Sequence, residues 1–364
     1  MSAEVRGSEL WFETADVELT ASTEMFATAL LPIAAGAGAT IELEGALDPV
    51  WRRNAARILR VWNGWWGYEP AIDAIVKAPE AQLGRGPAAL DTGLCFTLGV
   101  DSFYTLLRAP DELDALILAH GYDIPRADRA RIDDARDSLV AVAEATGCRA
   151  VIVETNLREH PVGVQMDWER GHGGAIAAVG HACEGLIGRL LISSSYPYSN
   201  DQPWGSHFRT DQGWSSSRLQ VEHYGADLRR AEKLGEIADE PLVQEHLRVC
   251  WEHRSSSANC GECEKCLRTM VSLVNHRALE RFPGLPHDRL VERVDAIAAA
   301  PPAVLIVWET QHGMLRDRRL RRAVGRLIER SGPQAATGSR LRFVRRGFGA
   351  GSDGSTIARR NRPV

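Results

Sequence analysis

Short apolar runs at 94-LCFTL-98, 113-LDALILA-119, 150-AVIVE-154 and 189-RLLIS-193 alternate with helical periodicity over 102–109, 126–146 and 172–187. This alternation is the feature that most restricts the fold. Strands that are apolar on both sides must be covered on both faces, and a helix between successive strands makes them parallel. The pattern predicts an α/β fold with a doubly wound parallel sheet over 91–285. In such sheets ligands bind beyond the carboxyl ends of the strands, where the connections diverge.

The flanking regions read differently. Residues 1–85 mix strand-like and helix-like patterns and are expected to form a smaller N-terminal α/β domain. Strand candidates there include Leu10 to Phe12, Val17 to Leu19, 40–45 and 71–77, with helices at 22–34 and 48–63. The run 62-WNGWWGYEP-70 reads as a packed aromatic cluster. Residues 79–93 form a Pro/Gly-rich linker. Helices are expected over 286–335. The stretch 336–364 reads as a basic, solvated tail: from position 312 to the end there are fourteen arginines and three acids. A net charge of -5 argues against global attraction to nucleic acid. A contact with nucleic acid or an acidic partner is therefore assigned to the tail alone. Only three lysines, Lys77, Lys233 and Lys265, stand against forty arginines, so each lysine draws notice.

One turn stands out. In 95-CFTLGVDSFYTLL-107 the first central strand runs into Gly99-Val100-Asp101-Ser102 and then into a helix with Phe103, Leu106 and Leu107 on one face. Gly99 permits close main-chain approach to a ligand, and the helix start offers free N–H groups to an anion. Thr97 and Ser102 supply hydroxyls. No GxxxxGK[ST] motif occurs, which excludes the common kinase-type phosphate loop. Likewise 36-GAGATI-41 lacks the third glycine of a dinucleotide fingerprint.

The seven cysteines divide into two groups. Cys95, Cys148 and Cys183 lie in apolar settings and read as packing residues. Cys250, Cys260, Cys263 and Cys266 cluster in 250-CWEHRSSSANCGECEKC-266, spaced C-x9-C-x2-C-x2-C. Such a cluster signals metal, with Zn²⁺ in a closed four-thiolate site as the leading assignment and an iron–sulfur cluster as the alternative. His253 is a fifth candidate that a filled tetrahedron leaves out. Lys265 and Arg268 are placed to offset the site's negative charge.

Together, the turn and the knuckle resemble a known family. Thr97-Leu98-Gly99-Val100-Asp101-Ser102 resembles the SGGxDS loop of the PP-loop ATP pyrophosphatases, with Leu98 in place of the first glycine. The late cysteine knuckle narrows the resemblance to 7-cyano-7-deazaguanine synthase and its relatives, over roughly 91–275. The resemblance implies an adenine nucleotide alpha hydrolase-like sheet and an ATP-dependent, AMP-forming ligase. It would activate a small-molecule carboxylate for attack by ammonia or an amine. It implies ATP at Thr97, Leu98, Gly99, Val100, Asp101 and Ser102, adenosine beside His120, Gly121 and Asp123, and Mg²⁺ with Asp101. Asp101 and Ser102 are the implied catalytic residues, and Arg230 with Lys233, at i and i+3 on one helix face, would serve the leaving pyrophosphate.

Asn156 and Arg158, after the third strand, are expected at the same cleft edge. The motif 171-GHGGA-175 is expected to open a helix as a second anion site or to pack. The polar-aromatic loop 194–218 could stack on a planar substrate. Two alternatives stay open: a PP-loop sulfurtransferase or RNA-modifying enzyme, and a non-enzymatic zinc-containing binding protein with a degenerate ATP site. The expected location is cytoplasmic, with no membrane contact and room for a homodimer.

Overall fold

The computed structural model describes residues 1–80, 88–109 and 113–332. The expected tail over 336–364 and part of the 79–93 linker lie outside them. In chain order the strands are β1 (Ser2–Val5), β2 (Ser8–Glu13), β3 (Ile41–Glu42), β4 (Val76–Lys77), β5 (Leu90–Cys95), β6 (Ala115–His120), β7 (Arg149–Thr155), β8 (Ile187–Ser193) and β9 (Gln220–Tyr224). The helices are α1 (Thr23–Ala37), α2 (Pro49–Trp66), α3 (Ile72–Ile75), α4 (Val100–Arg108), α5 (Arg129–Thr146), α6 (Trp168–Ala182), α7 (Arg230–Ile237), α8 (Pro241–His246), α9 (Glu264–Asn275), α10 (Leu290–Ala296), α11 (Pro302–Met314) and α12 (Arg318–Ser331).

The main sheet has the order β1-β2-β7-β6-β5-β8-β9. Its five strands β7-β6-β5-β8-β9 are parallel, with Leu94 opposite Leu116 on one side and Leu191 on the other. The chain winds outward from β5 to β6 and β7, then returns to β8 on β5's other side. The connections therefore diverge at the carboxyl ends of β5 and β8. Thr97–Ser102 leave the sheet at that point. The doubly wound α/β expectation holds to this extent.

Apolar cores cover both faces. One joins β5–β7 to α4, α5, α7 and α9 through Leu94, Phe103, Leu139, Leu234 and Leu267. The other joins β5–β9 to α1, α2 and α6 through Ile117, Ile187, Leu31, Trp51 and Ala178. The switch of face between α5 and α6 is what double winding requires. Among the described residues, no helix is long and apolar enough to cross a membrane.

Several local expectations change. The described part of 1–85 does not keep a core of its own. The β1–β2 hairpin pairs antiparallel with β7, Phe12 opposite Thr155, and α1 lies on α6 within the second core. The 286–335 helices likewise enter the first core through Trp308, Leu320, Val324 and Leu327. The expected strand at 71–77 is mostly α3, with two residues of β4, and Val17–Leu19 form no strand. The expected loop 194–225 contains β9, an edge strand of which only Val221 is buried, so its apolar signal is weak. The tryptophan-rich run packs as expected: Trp62 is fully buried against Trp66, Tyr68 and Trp214.

The motif 171-GHGGA-175 does not open a helix. α6 begins at Trp168, capped by Asp167, whose carboxylate accepts from Glu169 N–H at 3.1 Å. Gly171 N–H is already bonded inside the helix, to Asp167 O at 2.9 Å. These glycines pack. A Cβ at Gly173 would lie 2.1 Å from the Gly205 carbonyl oxygen, and one at Gly174 would lie 2.7 Å from the Pro32 ring of α1. Gly173→Ala should therefore lower stability by about 1–3 kcal/mol through overpacking. A Cβ added at Gly64 of α2 would meet nothing within 4 Å, and Gly64→Ala should instead gain up to about 1 kcal/mol of helix propensity. Urea unfolding midpoints of the two variants, moving in opposite directions, check this.

Candidate metal centre and anion site

The cysteine cluster is assembled by main-chain turns. Cys263 caps α9, its sulfur accepting from Cys266 N–H at 3.4 Å. Cys260 Sγ accepts from the N–H groups of Glu262 and Cys263 at 3.5 and 3.3 Å. Cys250 Sγ accepts from His253 N–H at 3.4 Å. Gly261 adopts φ +69°, and a Cβ there would lie 2.5 Å from Pro286. Buried Asn259 joins the two halves: its carbonyl oxygen accepts from Val249 and Cys250 N–H, and its amide donates to Leu247 O.

All four sulfurs lie within 4.8 Å of one another, and the pairs Cys250–Cys263 and Cys260–Cys266 are 3.9 Å apart. A tetrahedral zinc with bonds of about 2.3 Å places its sulfurs about 3.8 Å apart. The cluster could hold a metal ion, and its geometry is consistent with zinc. The spacing fits a single ion rather than a multi-iron cluster, whose own sulfides would hold the thiolates farther apart. With no cation the thiols cannot all ionise. Hydrogen bonding from Cys263 and then Cys266 pulls Cys250 down, and the Cys263 thiol rises in turn to about 12, mainly because it bonds Cys250. A dication removes that conflict. His253 lies outside the four-sulfur group.

The turn after β5 is close by and tied to the same segment. Leu98 C=O accepts from Arg248 N–H at 2.8 Å, two residues before Cys250. Leu98 is fully buried in the core of Phe96, Val100 and Phe103, yet its φ is +59°. The backbone thus keeps the left-handed conformation that suits glycine, while the side chain fills apolar space beneath the loop. Thr97 is exposed at the mouth, and the Val100 side chain is buried. Ser102 Oγ lies 3.1 Å from Gly99 N and 3.0 Å from Gly99 O, so it caps the first turn of α4.

Asp101 gathers the cations. Its carboxylate accepts from Arg230 Nη1 and from Lys233 Nζ, the latter at 3.3 Å. Lys233, fully buried, also donates to Ser194 O at 2.6 Å, just past β8. Thr105 Oγ1 lies 2.8 Å from Ser193 Oγ, a second tie from α4 to β8. Burial holds the Arg230 and Lys233 cations below their ordinary pKa, and Asp101 opposes the shift in both. Lys265 of α9 is also lowered, first by burial and then by repulsion from Arg230, with Arg268 adding to it. Arg268 pairs with Glu264 at 2.8 Å, and Trp308 Nε1 donates to the same carboxylate. Four cations, Arg230, Lys233, Lys265 and Arg268, thus gather here; Asp101 and Glu264 pair directly with three of them, while Asp123 and Asp227 act on Lys265 and Lys233 only through their field. Among the described residues, the Lys265 ammonium has no hydrogen-bond or ion-pair partner.

His120 and Gly121 sit one strand away, at the end of β6. His120 is buried, its Nδ1 3.3 Å from Glu154 Oε2, with Nε2 unpartnered among the described residues. Gly121 makes a close approach to Thr155 O, and Asp123 is exposed. Asn156 does not face the cleft; it pins the β1–β2 hairpin through Trp11 N and Glu9 O. Arg158 donates to Tyr122 O and stacks over Trp168.

Loop 194–218 is ordered by Asp211, which is fully buried and accepts from Ser206 Oγ, His207 N–H and His223 Nδ1. It brings Trp204 against His172 and Tyr196 against Trp204, extending an aromatic row through Trp168 and Tyr122. Trp204 Nε1 is a buried donor with no partner among the described residues. Burial raises the Tyr196 hydroxyl above its ordinary pKa, and the field of Arg268 opposes that shift at this end of the row.

Sequence reasoning placed Lys265 and Arg268 beside the metal only, and Tyr196 and Trp204 only as members of a loop. The rarity of lysine was a usable signal, since two of the three lysines meet here. Comparison with protein-family models, curated proteins and solved structures gives no match to this chain.

Two outcomes are expected. Elemental analysis should find one zinc per chain, and Cys263→Ser should lose it with much of the folded protein, since metal binding is folding free energy in such sites; a fully stable, zinc-replete variant would refute this. At position 98, loss of burial costs about 1.5–3 kcal/mol, while relief of the left-handed backbone returns about 1–2 kcal/mol for glycine only. Leu98→Gly should therefore be no less stable than Leu98→Ala, reversing the order seen at ordinary positions. Paired thermal melts check it.

Proposed function

We propose that the chain is an ATP-dependent, AMP-forming ligase of the PP-loop type, akin to 7-cyano-7-deazaguanine synthase. It activates a carboxylate for attack by ammonia or an amine. The observation that carries this reading is the cluster of cations around Asp101 at the first turn of α4, with the Lys265 ammonium unpaired among the described residues, where the sheet's connections diverge. The first-turn N–H groups and dipole of α4, together with the unpaired Lys265, would suit a chain of phosphates. Arg230 and Lys233 would stabilise charge on the departing pyrophosphate. Ser102 would act through the capped turn it holds, and Thr97 is free to bond a phosphate.

Mg²⁺ would enter with ATP. Among the described residues the cysteines form the only group of three or more ligands that could hold a metal. A magnesium would therefore take its oxygens mainly from phosphate and water, with Asp101 contributing once ATP draws off its cations. His120 Nε2 is an unpartnered donor or acceptor available to the nucleoside. The aromatic row of Tyr196, Trp204 and His172, with the unpartnered Trp204 donor, suits a planar heteroaromatic substrate whose acid group points at the cations. The knuckle zinc is structural in this reading: four thiolates leave no open coordination position, and the ion fixes the start of α9, which bears Lys265 and Arg268.

The sulfur-transfer alternative asks for an accessible thiolate. Burial instead raises the thiols of Cys95, Cys148 and Cys183, that of Cys183 to about 12. That favours the ligase reading.

The test is calorimetric titration with ATP and Mg²⁺, followed by pyrophosphate release in the presence of planar aromatic carboxylates. The parent should bind ATP. Lys265→Ala should weaken binding by roughly 10- to 100-fold, the scale of a lost charge-assisted contact of about 1.5–3 kcal/mol, and Asp101→Ala should abolish turnover. No detectable ATP binding by the parent would overturn the reading.

A further inference from the structure

Among the described residues, an arginine-rich surface lies far along the chain from the Asp101 cluster. Residues 316-RDRRLRR-322 lead into and build the first turns of α12. Leu320, Ala323, Val324 and Leu327 bury that helix against the protein. Arg318, Arg321 and Arg322, at i, i+3 and i+4, share an outward face and are exposed. They line a groove of about 400 Å³ with Arg326, with His312 of α11 and with a single acid, Glu329. Arg326 is engaged by Asp295. Asp317 is used up capping α12, accepting from Arg319 and Leu320 N–H. Among the described residues, Arg318, Arg321 and Arg322 therefore carry three guanidinium groups with no acid in ion-pair contact.

We infer that this groove binds the phosphate backbone of a nucleic acid. Guanidinium forks match phosphate oxygens two at a time. Four residues of helix advance about 6 Å, and one strand of a duplex presents a charge about every 3.4 Å of the axis, so about two phosphates of one strand fall beside the three arginines. A lipid surface is disfavoured because α12's apolar stripe is buried in the protein, leaving nothing to insert beneath headgroups. The chain's overall charge of -5 makes the attraction local to this groove. The proposal is independent of the ligase reading.

The test uses the full chain and fluorescent 20-mer RNA and DNA duplexes, followed by anisotropy. With about two phosphates neutralised, affinity should fall about 12-fold between 50 and 200 mM salt. R318E/R321E/R322E should weaken low-salt binding at least tenfold and remove most of the salt dependence, with an unchanged thermal melt. Should that variant melt early, R318Q/R321Q/R322Q replaces it with the same expectation. The charge-matched R359E/R360E/R362E, in the tail, should keep the groove's contribution. Wild-type binding by the groove variant, equal loss by the tail variant, absence of binding at low salt, or equally tight binding to phosphatidylserine vesicles would each overturn the proposal.

Discussion

The ion pairs of Asp101 hold the centre of this molecule together. One carboxylate in the first turn of α4 takes Arg230 and Lys233 from α7, and Lys233 passes a further bond to the end of β8. Buried charges are costly unless paired, and removing one partner leaves the other stranded. Asp101 therefore fixes where α7 can lie, and α7 in turn packs on α9. The pairing is incomplete, because the Lys265 ammonium has no ion-pair partner among the described residues.

The metal cluster and the turn after β5 form one mechanical unit. Arg248 N–H holds the Leu98 carbonyl, and the same strand of chain runs on to Cys250. Cys263 caps the helix that carries Lys265 and Arg268. A metal bound by the four sulfurs would thus stiffen both walls of the cationic site while touching neither ligand nor substrate. Leu98 is the compromise in this arrangement. It keeps the backbone shape of a glycine loop and puts its side chain to use in the core. A leucine at this position is compatible with a phosphate-binding turn, since in such turns main-chain N–H groups, not side chains, face the phosphates.

Much of this was legible beforehand, and for identifiable reasons. The parallel sheet was visible because strands buried on both faces must be continuously apolar. The metal ligands were visible because a knuckle is local, with its spacing written directly in the chain. The strand β9 was missed because an edge strand buries little, and α3 because four residues are too few for helical periodicity to differ from a strand's. The glycines of 171–175 resembled an anion-binding turn; the helix in fact starts earlier, at an Asp cap, and the glycines answer to Pro32 and Gly205, distant in sequence.

By itself the sequence determined the class of the sheet, the four sulfur ligands and the turn that opens α4, since each rests on spacing over a few residues. Only the tertiary structure decided that residues 1–80 share the sheet's core, that Lys265 joins Arg230 and Lys233 around Asp101, and that Tyr196 and Trp204 stack in one row with His172. Those placements depend on how helices cross and on which faces meet. Packing sets such relations between residues more than thirty positions apart, and no local pattern records them.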